Sequence, residues 1–368
     1  MSVRVEPGDM LQVIPNLVAE GVLCDACVTD PPYHLAAMSA RFGPGQKAAT
    51  SPDHQRFAKG FMGQTWDGGD IAFRVETWAA VYSILRPGAF LLAFGGTRTH
   101  HRMVCAIENA GFVIQDEIDW AYGSGFPKRK DNLKPAKEPI CLAYKPGGAR
   151  TLQVDECRIL ISDQGGRWGD GRSDGSCWGP GRTNGGNKPE GHRHELGRWP
   201  ANIIHDGSEE VLACFPAVGN SHAPDNEGSF RKNHVYGADP RPREFHPGFA
   251  DSGSAARYFY CAKADHQDRW GSRHPTVKPV ELIRYLVKLI CPLGGTFIDP
   301  FAGSGTAGVA ALAEGRNAIL IEREPEYIAD IRERMRHYEG DGRHSIASKA
   351  RKRAPKPLDG LFATDATQ

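Results

Sequence analysis

The stretch TFIDPFAGSGTAGVA, residues 296–310, leaves this chain few ways to fold. Phe297 and Ile298 make an apolar run that ends in an acid, Asp299, and Gly303 and Gly305 then lead into a small, apolar helix start. Strand, tight turn and helix in that order build a nucleotide pocket. The glycines let backbone approach a ligand closely, and the helix start adds unpaired N–H groups and a positive dipole end. No lysine follows Gly305, which argues against a phosphate-cradling P-loop. The next apolar run, Ala318 to Ile321, ends in Glu322, an acid at a strand tip where it can grip the two hydroxyls of a ribose. An ordinary strand–turn–helix with a surface glutamate would show the same features, so the rest of the chain has to decide.

With 368 residues, the chain is long enough for one large α/β domain carrying an insertion, or for two domains. Its formal net charge of +1 means that a nucleic-acid partner would have to be met by local patches, not by a uniformly basic surface. The nine cysteines are odd in number and scattered, a pattern that suits free thiols in a reducing cytoplasm. Cys24 and Cys27 form a C-x-x-C inside an expected strand, but no second C-x-x-C completes a zinc site, so no metal is expected. No apolar run approaches the roughly 18 residues of a membrane span, and no basic-then-apolar leader opens the chain.

Val3 to Val5 reads as a strand closed by Pro7, Gly8 and Asp9, before a helix marked by Met10, Leu11, Val13, Ile14 and Leu17. Ala26, Val28 and Thr29 form the next strand, which stops at Asp30-Pro31-Pro32-Tyr33. Two prolines end it abruptly and leave a carboxylate, a proline carbonyl and an aromatic ring projecting from its carboxyl edge. Residues 34–70 lack periodicity and read as a mobile loop over the site, with Trp66 and Asp67 either in a lid or anchoring the loop. A helix follows over 71–85, then a Pro87-Gly88 turn and the continuous apolar strand 89–94, buried on both faces. A helix over 102–110 and strands at 112–120 and 139–144 complete this half, with the loop YGSGFPKRK between the two strands. Beyond residue 165 comes a glycine-rich stretch too poor in aliphatics to build a core, read as an exposed insertion. Packing signals resume at Trp199–Ile204 and 256–262, and amphipathic helices are expected over 282–290 and 325–338. The tail from 340 is basic and aperiodic, a solvated end or a weak phosphate tether.

The two ends of the chain fit together. If the last helix were joined to Val3, the order would run glycine-rich turn, Glu322 strand, Val3 strand, Asp30 strand, a continuous α/β winding with all four tips on one edge. The sequence therefore predicts a circularly permuted, Rossmann-like mixed sheet with helices on both faces.

Asp30-Pro31-Pro32-Tyr33 ahead of Phe301-x-Gly303-x-Gly305, with a variable region between them and His274-Pro275-Thr276-x-Lys278-Pro279 before the glycines, resembles the β-class amino DNA methyltransferases. The phrases MGQTWDG, LLAFGGTRTHHR, YGSGFPK, EPICLAYKP and RWPANIIHDGSEEV are similar to those of its phage and prophage branch. The resemblance implies S-adenosylmethionine as cofactor, double-stranded DNA as partner, no membrane association and a cytoplasmic location, and it leaves a homodimer open. It also implies a methyltransferase domain divided into a catalytic half at 1–148 and a cofactor half at 256–340. A target-recognition region at 149–255 would separate them, with the tail at 341–368. Phe301, Gly303 and Gly305 would line the methionine end of the cofactor, Asp299 its amino group and Glu322 its ribose. Asp9 and Met10 would lie near the adenine, and Thr276 and Lys278 would close the methionine side. Lys128, Arg129 and Lys130 would meet DNA phosphates.

The chemistry of residues 30–33 can be argued from the residues themselves. An exocyclic base amine is a poor nucleophile because its lone pair is delocalised into the ring. Hydrogen bonds to an ionised Asp30 and the Pro31 carbonyl pull the nitrogen toward tetrahedral geometry and aim that lone pair at a methyl group. A paired base cannot reach such a pocket and must be flipped out, and Tyr33 offers a face on which it stacks. By the resemblance, Asp at the first position favours adenine N6 over cytosine N4, although both amines use one chemistry. A catalytically idle DNA-binding decoy that kept the fold is the alternative of another class. An RNA methyltransferase is disfavoured because no separate RNA-binding module is visible.

Overall fold

The computed structural model describes residues 1–33, 70–127, 130–159, 197–218 and 253–339. The expected loop over the site, the glycine-rich stretch at 165–196, Lys128, Arg129 and the basic tail lie outside the described residues. In chain order the strands are β1 (Val3–Pro7), β2 (Cys24–Thr29), β3 (Leu85–Phe94), β4 (Val113–Ala121), β5 (Lys137–Tyr144), β6 (Ile203–His205), β7 (Ala217–Val218), β8 (Gly253–Ser254), β9 (Tyr260–Cys261), β10 (Thr296–Asp299) and β11 (Asn317–Glu322). The helices are α1 (Met10–Ala19), α2 (Val75–Ile84), α3 (His100–Asn109), α4 (Glu209–Leu212), α5 (Val280–Ile290), α6 (Thr306–Glu314) and α7 (Pro325–Glu339).

The main sheet runs β1-β11-β10-β2-β3-β5-β4-β6-β9. From β1 to β3 every pairing is parallel, so the tips carrying Pro7, Glu322, Asp299 and Thr29 share one edge. Strand β5 is antiparallel to both β3 and β4, which makes the sheet mixed. Numbered from β10 through β11, β1, β2, β3, β4 and β5, the same strands read 3-2-1-4-5-7-6. This is the permuted winding that joining the two ends predicts. The order reverses between β10 and β2, and α/β sheets open a ligand crevice at such a switch point.

Alternation along β3 explains why helices cover both faces. Phe90, Leu92 and Phe94 pack with Leu286 and Val287 of α5 and Val309 of α6. Leu91 and Ala93 face the other way, onto Ile14 of α1, Trp78 of α2 and Ile107 of α3. The Pro87–Gly88 segment differs from the expected turn. Leu85 already pairs with Cys24, Phe90 pairs with Ala26, and the residues between form an irregularity within β3, with Gly88 at φ +87°. Such a bulge keeps the strand in the sheet while absorbing surplus chain. Of the 199–204 packing signal, Ile203–His205 becomes β6 in the main sheet, whereas Trp199 is exposed. Among the described residues no helix is long and apolar enough to cross a membrane.

Candidate active site

The turn after β10 is held by backbone that only glycine takes readily. Gly303 and Gly305 have φ of +51° and +73°, in the left-handed region. A Cβ at Gly303 would stand 3.2 Å from His274 Nε2, and one at Gly305 would stand 2.9 Å from Ile331 Cγ1. From below, the fully buried Arg334 of α7 donates to Ser304 O, and to Asp268 O at 2.8 Å. Glu322 closes the turn from β11. Its Oε2 accepts from Gly303 N at 2.8 Å and its Oε1 accepts from Arg323 N and Glu324 N, both at 2.9 Å. A carboxylate has about four acceptor positions, so Glu322 is fixed by three donors and retains capacity for a hydroxyl.

Asp299 is buried beside this turn. Its Oδ1 accepts from Thr29 Oγ1 at 2.8 Å and from Phe301 N at 3.1 Å. Burial pushes its carboxyl up to about 7, against the pull of those two hydrogen bonds. A carboxyl raised in the folded state favours folding while protonated, and that advantage is lost as pH rises from its unfolded value near 3.8 through about 7. At full ionisation the penalty is on the order of 4 kcal/mol. The ligand-free protein should therefore lose stability between about pH 4 and pH 7 through this group, and Asp299→Asn should flatten that slope in urea titrations. An equal slope in the two proteins would contradict the assignment.

On the β2 side, Asp30 accepts twice. Tyr33 Oη donates to its Oδ1 at 2.6 Å, and Lys278 Nζ donates to its Oδ2 at 2.6 Å. Lys278 also donates to Tyr33 Oη at 3.2 Å and lies 3.2 Å from Glu138 Oε2. Burial opposes the lysine charge, but Asp30 and Glu138 outweigh it and hold the ammonium above the ordinary lysine range. Burial, reinforced by the same two carboxylates, pushes the Tyr33 phenol well above its usual range, so the hydroxyl stays a donor. His274 stands over the glycine turn, with its ring edge-on to Tyr327 and the centroids 4.7 Å apart. Its Nδ1 lies 2.6 Å from Thr276 O; a carbonyl can only accept, so Nδ1 carries the hydrogen. Burial lowers its basicity and keeps the ring neutral.

Both halves line one cleft of about 1470 Å³, which takes in Asp30 to Tyr33, Asp299, Phe301, Gly303 and Glu322. Asp9 and Met10 reach the same cleft; Asp9 caps α1 by accepting Leu11 N at 2.8 Å, and Met10 is buried. Thr276 and Lys278 line it as well, and the Lys278 ammonium sits on Asp30, a contact that sequence reasoning did not foresee. Lys130 is exposed on the loop between β4 and β5. Sequence reasoning missed Glu138 and Arg334. The phrase EPICLAYKP contains the first, yet nothing local says that it turns to a lysine far along the chain; the second reads as one more charge on an amphipathic helix.

A family model for N6/N4 methyltransferases, described as DNA methylase, matches residues 24–333. Over 68 residues the chain is 40% identical to the type II methyltransferase M2.DpnII of Streptococcus pneumoniae, covering 18% of this chain and 25% of that one. Over 55 residues it is 51% identical to M.BglI of Bacillus subtilis, covering 15% and 16%. A longer match, 21% over 273 residues, joins it to M.HindIII of Haemophilus influenzae and spans 68% of this chain and 64% of that one. The chain thus spans a quarter or less of the first two relatives and under two thirds of the third. Among solved structures, the M1.HpyAVI–SAM complex is 16% identical with a TM-score of 0.47, covering 90% of this chain and 98% of that one. PvuII DNA methyltransferase, cytosine-N4-specific, is 15% identical with the same TM-score, covering 96% and 92%. With its matched span running from the start of β2 into α7, the chain belongs to the DNA methylase family of N6/N4 methyltransferases.

Proposed function

We propose that this protein is a site-specific DNA methyltransferase that moves a methyl group from S-adenosylmethionine to the N6 amine of a flipped-out adenine. The observation that carries this reading is the shared cleft, in which Asp30 and the Gly303 turn face one another across the β2–β10 switch point. The residues present fit the cofactor. The cleft beside the glycine turn leaves room for it, and the buried Asp299, which pairs with no cation among the described residues, suits an ammonium or sulfonium. Glu322 retains an acceptor for ribose. Bound there, S-adenosylmethionine supplies an electrophilic methyl group on a positive sulfur.

The remaining work belongs to the protein. Asp30 and the Pro31 carbonyl accept the two N–H bonds of the target amine and hold its lone pair in line for transfer. As the amine gains the methyl group it sheds a proton, and the Asp30 carboxylate is placed to take it. No covalent nucleophile is required. Tyr33, anchored through its hydroxyl to Asp30, supplies the stacking face, and Lys130 lies on a loop suited to DNA phosphates. The division into halves at 1–148 and 256–340 around a target-recognition region at 149–255 is part of the same reading.

The test is transfer of tritiated methyl from S-adenosylmethionine to duplex DNA, with matched RNA as comparator, followed by nucleoside mass spectrometry. N6-methyladenine in DNA is the expected product. N4-methylcytosine would move the target to the other amine, and absence of label from every DNA would reject the reading in favour of an idle DNA-binding protein.

A further inference from the structure

Asp30 must meet an incoming amine as an acceptor, yet its Oδ2 is already held at 2.6 Å by Lys278. The target can take that position only if the ammonium leaves it. A buried ammonium does not give up its partner without another to receive it. Glu138 stands ready, with Oε2 3.2 Å from Lys278 Nζ and 3.4 Å from Tyr33 Oη. It comes from β5, which is separated from β2 by β3, so the two carboxylates reach the lysine from different strands. Lys278 lies 4.9 Å from the centroid of the Phe94 ring, and its side chain is 13% exposed. The charged and titratable groups around it are Asp30 and Tyr33 after β2, Tyr122 after β4, Glu138 on β5 and His274 on its own segment.

We propose that Glu138 is a positioning residue for methyl transfer: it draws Lys278 off Asp30 as the target amine enters, freeing Asp30 as an acceptor. The inference rests on the methyl-transfer reading above. It also accounts for charge. Asp30 and Glu138 carry one negative charge each and Lys278 one positive, so the cluster keeps one net negative charge. That charge attracts the positive charge that develops on the amine during transfer. Without Glu138 the cluster is neutral, and Lys278 has only Asp30 to pair with. With neither Glu138 nor Lys278, Asp30 is unpaired and the net charge is again negative.

Full-length protein tests this in single-turnover methyl transfer to duplex DNA, with S-adenosylmethionine affinity followed by calorimetry. Glu138→Gln should slow transfer about ten- to a hundred-fold while the cofactor Kd stays within about two-fold. Glu138→Asp, which keeps the charge, should recover most of the rate and guards against a folding defect in the glutamine variant. The combined Glu138→Gln, Lys278→Met protein should be faster than Glu138→Gln alone, whereas a merely structural role predicts additive losses. Wild-type rates in Glu138→Gln, or a double variant slower than the single one, would overturn the proposal. Wild-type protein that methylates no DNA would overturn the functional reading and this inference with it.

Discussion

Asp30→Ala is expected to cut methyl transfer about a thousand-fold or more and to leave S-adenosylmethionine affinity within about two-fold of wild type. The two effects separate because the two halves of the cleft are anchored independently. Asp30 sits at the tip of β2, with its carboxylate directed to Tyr33 and Lys278. The glycine turn is fixed by Glu322 and Arg334, whose bonds go to Gly303 N and Ser304 O and not to Asp30. The variant does not strand its lysine, because Glu138 remains 3.2 Å away. On the proposed mechanism, loss of the carboxylate removes the acceptor for the amine and the site for its departing proton, while the fold is expected to persist. Single-turnover rates and calorimetry on the same preparation are the measurements. Turnover equal to wild type would remove Asp30 from the chemistry.

The reverse pattern is expected of Gly303→Val. Here cofactor affinity should fall by about a hundred-fold or more, and transfer should fail as a consequence. A β-branched residue is strongly disfavoured at φ +51°, and its Cβ would press to 3.2 Å from His274 Nε2. Any backbone shift that relieved this strain would disturb the Gly303 N–H bond to Glu322, and with it the acid assigned to the ribose. Gly21→Val is a suitable control. Gly21 also has a positive φ, +80°, but a Cβ there meets nothing within 4 Å, so strain alone would cost stability and spare affinity. Calorimetry showing an unchanged Kd for Gly303→Val would remove the glycine turn from the cofactor site.

What the sequence disclosed was whatever is written in consecutive residues. The β10–glycine–α6 order, the acid ending β11 and the prolines ending β2 are local statements, and parallel pairing then forces their tips together. The Asp30–Lys278 contact links residues 248 apart, and Tyr33 and Glu138 are 105 apart. No period or spacing encodes such meetings; they exist only once the strand order is set. The resemblance gave Lys278 a place in the cleft but not its contact with Asp30, because a motif records neighbours along the chain and not the direction in which a side chain turns. Pro87-Gly88 was misleading for a related reason. The pair has turn chemistry, but strong apolar residues on both sides keep the strand in the sheet and convert the turn into a bulge.

The permuted strand order also dictates a timetable. Strands β1 and β2 are made before β10 and β11, yet β11 and β10 lie between them in the finished sheet. A nascent chain that has reached α5 lacks both strands that separate β1 from β2, and residues 296–322 supply them only later. Asp30 thus borders an unfilled gap until residues 296–322 have been made. Before then, the cleft proposed for the methyl donor lacks the glycine turn and Glu322.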